Sequence, residues 1–571
     1  MSVTSSAGPQ TAAADALHAM KYRAPGESFR EAMTRVAAAL KDNDRHFRAL
    51  RDILIGQRFA PAGRIQAAVG ATKAVTAFNC SVSLPIADSF VDGPGSIMQR
   101  AAEAARTMRM GCGIGYDFST LRPRGDIIAK LMSHASGPVS FMQIYNAICL
   151  ATSSSGHRRG AQMGVLRVDH PSIEEFVRAK QNTDQLNGFN ISVAVTDDFM
   201  EAALNNQPFT LKFGGRSYNT ISAASLWEEI MRSTWDWGEP GVLFIDRINR
   251  YNNLWYCEEI SATNPCAEQP LPPGGVCLLG SINLVKYLDN DRSDLDWTQL
   301  ADDIPHIVRA MDNVIDVSHY PLVEQHNEAK SKRRMGIGVM GLANALEALG
   351  NPYAHAHFLE SENNILEWIK EHVYRASIQL AIEKGSFPLF QCGHYLEGNF
   401  VSTLSPETRK DIEHFGIRNS HLLSIAPTGT ISQCCDNVSS GIEPVWAYET
   451  KRPINTPLGQ EIVELQDYGV AFLKTYGRLA HEVSPLEHVD VLTTAQAHID
   501  SAISKTINVP ASTQWEAFKD VYRQAWENGA KSCATFTSGG KRDGLLSAAA
   551  VAQEGQACHI DPDTGKRSCD D

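Results

Sequence analysis

The sequence predicts an α/β fold, on three observations. Apolar residues recur at helical spacing in several stretches, first at Phe29, Met33, Val36, Ala37 and Leu40. Between such stretches lie strand-like runs, either alternating, as at 77–84, or continuously apolar, as at 278–284. The segment 425–432, Ile-Ala-Pro-Thr-Gly-Thr-Ile-Ser, reads as a strand running into a small-residue turn. Closed α/β architectures often exceed the usual length of one domain, so 571 residues need not mean several.

Composition narrows the function classes. Hydrophobic content of 43% and charged content of 20% are ordinary for a soluble globular chain. Net charge is −13 with no basic run to follow a phosphate backbone, so no nucleic-acid partner is expected. A single nucleotide is compatible, because backbone amides bind phosphate without lysine or arginine. The start, Met-Ser-Val-Thr-Ser-Ser, has no basic region followed by an apolar core, so no signal peptide is expected. No apolar run approaches a membrane span, and a cytoplasmic location with no membrane partner is expected. The twelve cysteines include no Cys-x-x-Cys, which argues against structural zinc, and no metal ligands are assigned. So many thiols in a cytosolic chain suit a few in redox or radical work and the others in the core.

In order, residues 1–25 are rich in Ala, Ser and Gly and read as a loose tail. A helical segment follows over 26–75, in two stretches that end before Pro61. The alternating run at 77–84 carries Cys80, by itself a core thiol. Ser153-Ser154-Ser155-Gly156-His157-Arg158-Arg159-Gly160 is a small-residue loop with a cationic pair suited to phosphate or base contacts. Gly336-Ile337-Gly338-Val339-Met340-Gly341 matches a dinucleotide fingerprint in letters only; Lys330 to Arg334 before it are no buried strand. Close packing at a strand is the better reading of those glycines. At Pro427, Thr428, Gly429, Thr430 and Ser432, amides and hydroxyls at a helix start suit phosphate binding. Thr513-x-x-Glu516 predicts a cap for a helix whose Phe518, Val521, Tyr522 and Ala525 share a face, and 532–537 reads as a last strand.

One loop gathers chemistry. From Asn264 to Cys277 the chain holds a thiol at Cys266, a carboxylate at Glu268, an amide at Asn264 and a second thiol at Cys277. Pro265, Pro270, Pro272 and Pro273 exclude a regular helix or a central strand. On an extended chain, residues two apart share a side, so Asn264, Cys266 and Glu268 are expected to converge on one molecule. A nucleophile, a proton acceptor and a hydrogen-bonding amide are the parts of a reaction centre. The competing reading is a surface loop with an incidental cysteine.

Asn264-Pro265-Cys266-x-Glu268, followed by Cys277 and Gly280-Ser281-Ile282-Asn283-Leu284, resembles the finger loop of the ribonucleotide reductases. That resemblance covers about residues 30–545 and the tail. It implies a ten-stranded α/β barrel of two antiparallel five-stranded halves, threaded by the finger loop, over 76–545. It also implies that Cys266 carries the radical and that Cys80 on the first strand pairs with Cys277, 197 positions away. Glu268 would accept a proton and Asn264 would orient the substrate. Arg122 falls on an effector-phosphate arginine, Asp88 near an effector base or ribose contact, and Arg158 and Arg159 in a specificity loop. The 427–432 loop would hold the substrate's phosphates. Cys558 and Cys569, in a tail at 546–571, would be the pair that reduces the active-site disulfide by thiol exchange. Ten residues separate them, with the turn signal Pro562-Asp563-Thr564-Gly565 between.

The last strand separates subclasses. Reductases that import their radical from an iron subunit carry two adjacent tyrosines there, whereas this chain has Ala534, Thr535 and Phe536. The expected cofactor is therefore adenosylcobalamin, as in the class II enzymes. Expected partners are a ribonucleotide, in diphosphate form, dNTP or ATP effectors, and a thioredoxin- or glutaredoxin-type reductant. The expected assembly is a homodimer, because effector loops are built at a subunit contact. A regulatory N-terminal cone needs about a hundred residues, so overall control by dATP is not expected. Two rivals stand beside this: the large subunit of an iron-dependent reductase, and a non-catalytic nucleotide-sensing thiol protein.

Overall fold

The strands that frame the site, in chain order, are β1 Phe59–Pro61, β2 Cys80–Val82, β3 Gly113–Asp117, β4 Gln162–Arg167, β5 Phe189–Val195, β6 Gly241–Phe244, β7 Ala262–Thr263, β8 Pro270–Leu271, β9 Val276–Cys277, β10 Leu279–Asn283, β11 Gly336–Met340, β12 Thr506–Val509 and β13 Ser532–Thr537. The structure is a computed structural model describing residues 8–537 except 73–74, 130, 155–157, 160, 182–184 and 457–458, and the backbone of 558–560 and 567–569. Side chains at 153–160 and 452–463 also lie outside the described residues.

Five strands form one parallel run, β2-β3-β4-β5-β6. Every residue of β5 is buried, as parallel strands covered on both faces require. At one edge β6 meets β13 antiparallel, and β13 continues parallel to β12. At the other edge β2 meets β9 antiparallel. After Leu278, β10 pairs parallel with β11 and antiparallel with β1. Two isolated parallel bridges, Ile337 with Leu423 and Ile425 with Ile503, connect β11 towards the chain entering β12.

The frame is thus a mixed α/β sheet system, with an eight-stranded and a three-stranded ladder joined through single bridges. The closed ten-stranded barrel implied by the resemblance is not traced as one sheet among the described residues. Backbone hydrogen bonds nevertheless run through 422–425: Ile337 N donates to Leu422 O and Ser424 N to Ile337 O, while Ser501 N donates to Leu423 O and Ile425 N to Ala502 O. Leu422 N and Leu423 N donate to the carboxylate of Asp500, at 2.7 and 2.9 Å.

Glycine lets backbones touch at the centre of this frame. A Cβ built on Gly115 of β3 would lie 1.9 Å from the carbonyl oxygen of Thr263, and one on Gly338 of β11 would lie 2.3 Å from Ser424 O. The second contact explains the Gly-x-Gly at 336–338 as close strand packing. Gly115→Ala should cost about 3 kcal/mol or more, because the obstacle is backbone that cannot swing aside. Chemical denaturation would measure it; a loss under about 1 kcal/mol would mean that the hairpin of β7 and β8 shifts freely.

The tail expected over 1–25 is helical from Ala12 to Tyr22. Thr11 caps this helix by accepting from Ala14 N, Asp15 sits in the first turn, and Ala14, Leu17, His18 and Tyr22 are buried. Its alanine content hid a capped helix with one buried face. Just before it, Gln10 N and Thr11 N donate to the Asp436 carboxylate, at 2.9 and 2.8 Å. Helices Phe29–Leu40 and Asp44–Ile55 follow, the first with a Ser28/Glu31 capping box. Near the end, helix Trp515–Glu527 is preceded by Gln514 and has no side-chain cap, so Thr513 does not take the expected role. Among the described residues no helix is long and apolar enough to cross a membrane.

Glu347 links fold to pH. It is buried, and its Oε1 accepts from Arg478 N at 2.7 Å and Tyr353 N at 3.3 Å. Burial pushes its carboxyl from the ordinary 4.5 up to about 7. The folded state therefore holds the proton where the unfolded chain has released it. The stabilisation is complete below pH 4.5 and is lost as pH rises through about 7. The change amounts to about 3 kcal/mol at most. Glu347→Gln keeps the Oε1 acceptor and should flatten this part of the stability profile between pH 5 and 8, read as denaturation midpoints in that interval; an unchanged slope would assign it to other groups.

Candidate functional site

The site begins as a hairpin. β7 and β8 pair antiparallel, Thr263 opposite Pro270, and the chain between them turns tightly. Ala267 N donates to Asn264 O, Asn264 N to Gln269 O, and Gln269 N to Asn264 Oδ1, at 3.1, 3.1 and 2.9 Å. Ala267 has φ +70, in the left-handed region. Asn264, Cys266 and Glu268 therefore share a folded turn and not the extended, same-side spacing expected from the sequence. The prolines still explain why the strands are two residues long and pair only with each other.

This turn lies inside the protein. Asn264 is 0% exposed, Cys266 2% and Glu268 2%, which rules out the surface-loop reading. It is gripped from two sides. From β5, Asn190 Nδ2 donates to Pro265 O at 3.1 Å. From the opposite side, Ser424 Oγ and Ala502 N donate to Glu268 O at 2.9 and 3.0 Å. Two buried donors of the turn, Asn264 Nδ2 and Gln269 Nε2, have no hydrogen-bond partner among the described residues. Buried donors are normally paired, so this pair suits a bound molecule with oxygen acceptors.

The other two thiols meet beneath it. In the ladder of β9 with β2, Cys277 is the register partner of Cys80. Directly opposite Cα atoms on antiparallel strands are about 4.5–5.5 Å apart, inside the limit of about 7 Å for a disulfide. Both are buried thiols. Cβ built on Gly113 would stand 3.1 Å from Pro265 Cγ and 3.3 Å from Cys80 Sγ, so the residue before Cys266 and the Cys80 sulfur flank one point. Cys266 itself is disulfide-bonded. Cys434 and Cys435 are buried, and burial pushes the Cys435 thiol up to about 12, which suits packing and not reaction.

Three residues after Ser424 the chain enters Pro427, Thr428, Gly429, Thr430 and Ser432, at the start of helix Gly429–Cys434. Thr428 precedes the helix with φ +53, and its hydroxyl accepts from Gly441 N at 2.8 Å. Ser432 Oγ lies 3.1 Å from Ser440 Oγ. The turn is thereby braced against 439–441, and its glycine N–H sits at the helix start.

Asp88 and Arg122, proposed from sequence as effector contacts, bind each other. Arg122 N and Nε donate to the Asp88 carboxylate at 3.1 and 2.7 Å, both residues half-buried. Arg158 and Arg159 form a two-residue strand against Ser153–Ser154, with side chains outside the described residues. In the tail, strands Cys558–Ile560 and Arg567–Cys569 pair with Cys558 opposite Cys569, while residues 561–566, with the expected turn signal, and both cysteine side chains lie outside the described residues.

Sequence reasoning missed Asn190, Ser424, Ala502 and Asp500. Nothing local marks them, since each acts through a contact with a residue far along the chain.

A buried, turn-borne cysteine on one turn with a carboxylate and an amide, near two facing cysteines in an α/β frame, is an arrangement suited to thiol-based redox chemistry. Residues 80–536 match the family model described as ribonucleotide reductase, barrel domain. The chain belongs to the ribonucleotide reductases. It is 36% identical over 504 residues to a vitamin B12-dependent ribonucleoside-diphosphate reductase of Mycobacterium tuberculosis (strain CDC 1551 / Oshkosh), covering 82% of this chain and 68% of that protein. A protein of the same name from Thermoplasma acidophilum is 34% identical over 501 residues, covering 81% of this chain and 62% of its own length. A ribonucleoside-diphosphate reductase subunit alpha of Chlamydia pneumoniae is 25% identical over 508 residues, covering 74% of this chain and 48% of that protein.

Proposed function

We propose that this chain reduces ribonucleotides, as diphosphates, to 2′-deoxyribonucleotides with adenosylcobalamin as cofactor. The observation that carries the reduction is the register of Cys277 opposite Cys80 beside the Cys266 turn. The cofactor assignment rests on the names of the M. tuberculosis and T. acidophilum relatives and on β13, where Ala534, Thr535 and Phe536 offer no tyrosine relay.

The residues fit such a cofactor at one point. Gln269 Nε2 is a buried donor with no hydrogen-bond partner among the described residues, and the buried sulfur of Cys266 lies on the same turn. When bound, the cofactor supplies one-electron chemistry that removes a hydrogen atom from a thiol. Cys266, once reduced, is the thiol that meets it.

The chain's own residues do the rest. The Cys266 sulfur takes the 3′ hydrogen of the ribose and later returns it. A thiol suits this exchange because S–H is weak enough to give up hydrogen reversibly. Glu268 accepts the 3′-hydroxyl proton, and Asn264 donates from Nδ2 to the sugar. Cys80 and Cys277 supply two electrons and two protons. The 2′-hydroxyl leaves as water and the two sulfurs become a disulfide. The 427–432 turn holds the substrate phosphates.

Around this centre we place a closed ten-stranded barrel, taking the two single bridges as links between its strands. Asp88, Arg122, Arg158 and Arg159 are proposed to read a dNTP or ATP effector at a homodimer contact. An effector phosphate would then compete with Asp88 for Arg122. Cys558 and Cys569 are proposed to pass electrons from a thioredoxin- or glutaredoxin-type protein to the active-site disulfide. Their opposed register supports this.

The test is incubation of the pure chain with a ribonucleoside diphosphate, a dithiol and adenosylcobalamin, with deoxynucleotide measured by chromatography. Product without a second protein is expected. Product only after addition of an iron subunit would assign the iron-dependent class, and nucleotide binding without product would leave a sensing protein.

A further inference from the structure

Glu268 is held by its backbone, where the segment 422–425 meets the chain entering β12. Its carbonyl oxygen accepts from Ser424 Oγ at 2.9 Å and from Ala502 N at 3.0 Å. Ser424 belongs to the segment 422–425 and Ala502 to the segment entering β12, and Ile425 with Ile503 is an isolated bridge between them. Around it Ser501 N donates to Leu423 O, Ile425 N to Ala502 O and Ser504 N to Ile425 O, at 3.1, 3.2 and 2.9 Å. Side chains add to these bonds.

Asp500 ties the two segments further. Its carboxylate accepts from Leu422 N at 2.7 Å and Leu423 N at 2.9 Å, the two amides just before Ser424. Tyr374 OH donates to the same carboxylate at 2.8 Å, and Asn253 Nδ2 donates to that hydroxyl at 3.0 Å. Asp500 also lies two residues before Ala502. One side chain thus ties together the carriers of both donors to Glu268. Lys531, fully buried beside β13, closes the arrangement: its Nζ donates to Asp500 O at 2.6 Å and Ser501 O at 2.7 Å. The lysine fixes the backbone on one side of Ala502, and the carboxylate fixes the backbone before Ser424.

We propose that Asp500, with Lys531 behind it, is a positioning residue that sets where the Glu268 carboxylate stands in the reaction. It touches neither substrate nor cofactor in this scheme and acts through Ser424 and Ala502. The inference rests on Glu268 being the proton acceptor. Proton transfer demands hydrogen-bond reach, so a shift of the loop anchor is paid in rate and not in substrate affinity.

The test uses the full chain with adenosylcobalamin, a ribonucleoside diphosphate and dithiol. Asp500→Asn keeps the shape and loses the charge and one acceptor. Its kcat should fall about tenfold to a hundredfold with KM within about twofold. The same substitution in a Glu268→Asp background, where the acceptor is already displaced on a shorter arm, should lower kcat by less than about twofold more. A structural role would multiply the two losses. Tyr374→Phe and Ser424→Ala, each removing one hydrogen bond, carry the same test should Asp500→Asn not fold. The inference is overturned if wild type is active and Asp500→Asn keeps its kcat, if the loss sits in KM, or if the two effects multiply. A wild-type chain that makes no deoxynucleotide overturns the functional reading first, and this inference with it.

Discussion

Cys266→Ser should abolish turnover, by at least about a thousandfold, while leaving nucleotide binding unchanged. The reason is chemical and local. A serine O–H is too strong to give hydrogen reversibly, and no other thiol shares the buried turn with Glu268 and Asn264. Sulfur and oxygen differ little in size, so the hairpin and its anchors at Asn190, Ser424 and Ala502 should persist. Nucleotide affinity by equilibrium dialysis and product by chromatography would be measured on the same preparation. Retained turnover in Cys266→Ser would remove that residue from the chemistry. Loss of binding as well would show that it holds the turn together.

The second large effect concerns the facing pair. Cys80→Ser and Cys277→Ser should each lower multiple turnover by at least about a hundredfold, and the double substitution should be no worse than either alone. A disulfide needs both partners, so removing one removes the function of the other. The register that puts Cys277 opposite Cys80 makes this non-additivity specific to the two. If the single losses multiplied, the thiols would be acting separately. A Cys80→Ser enzyme at wild-type rate would show that the electrons come from elsewhere.

How much of this the sequence disclosed varies with the distance over which each feature is built. The turn at 264–268 was legible because its chemistry is contiguous and its prolines forbid the common elements. Its geometry was not, since the left-handed Ala267 folds a stretch that spacing alone reads as extended. The meeting of Cys80 with Cys277 came from resemblance, because a separation of 197 positions leaves no local trace. The glycines at 336–338 and the strand 532–537 were read correctly from their surroundings. Helix Ala12–Tyr22 was lost in an Ala/Ser/Gly composition that signals looseness, although Thr11 and Asp15 were there as start signals. The supports of Glu268 were out of reach altogether. Ser424 stands 156 residues from it, and Asp500 works through amides that any strand would offer.

Asp500 connects these points. A carboxylate that takes the amides of Leu422 and Leu423 gives that segment a fixed attachment beside the proposed reaction centre.

The most direct measurement is a single turnover. Reduced protein, freed of external thiol and supplied with adenosylcobalamin and a ribonucleoside diphosphate, would be quenched, alkylated and mapped by peptide mass. A variant with Cys558 and Cys569 both changed to serine confines the count to the inner pair. Deoxynucleotide should form at about one per chain, with the Cys80 and Cys277 peptides joined by a disulfide and their alkylation lost in step with product. Deoxynucleotide formed while both thiols stay open to alkylation would contradict it.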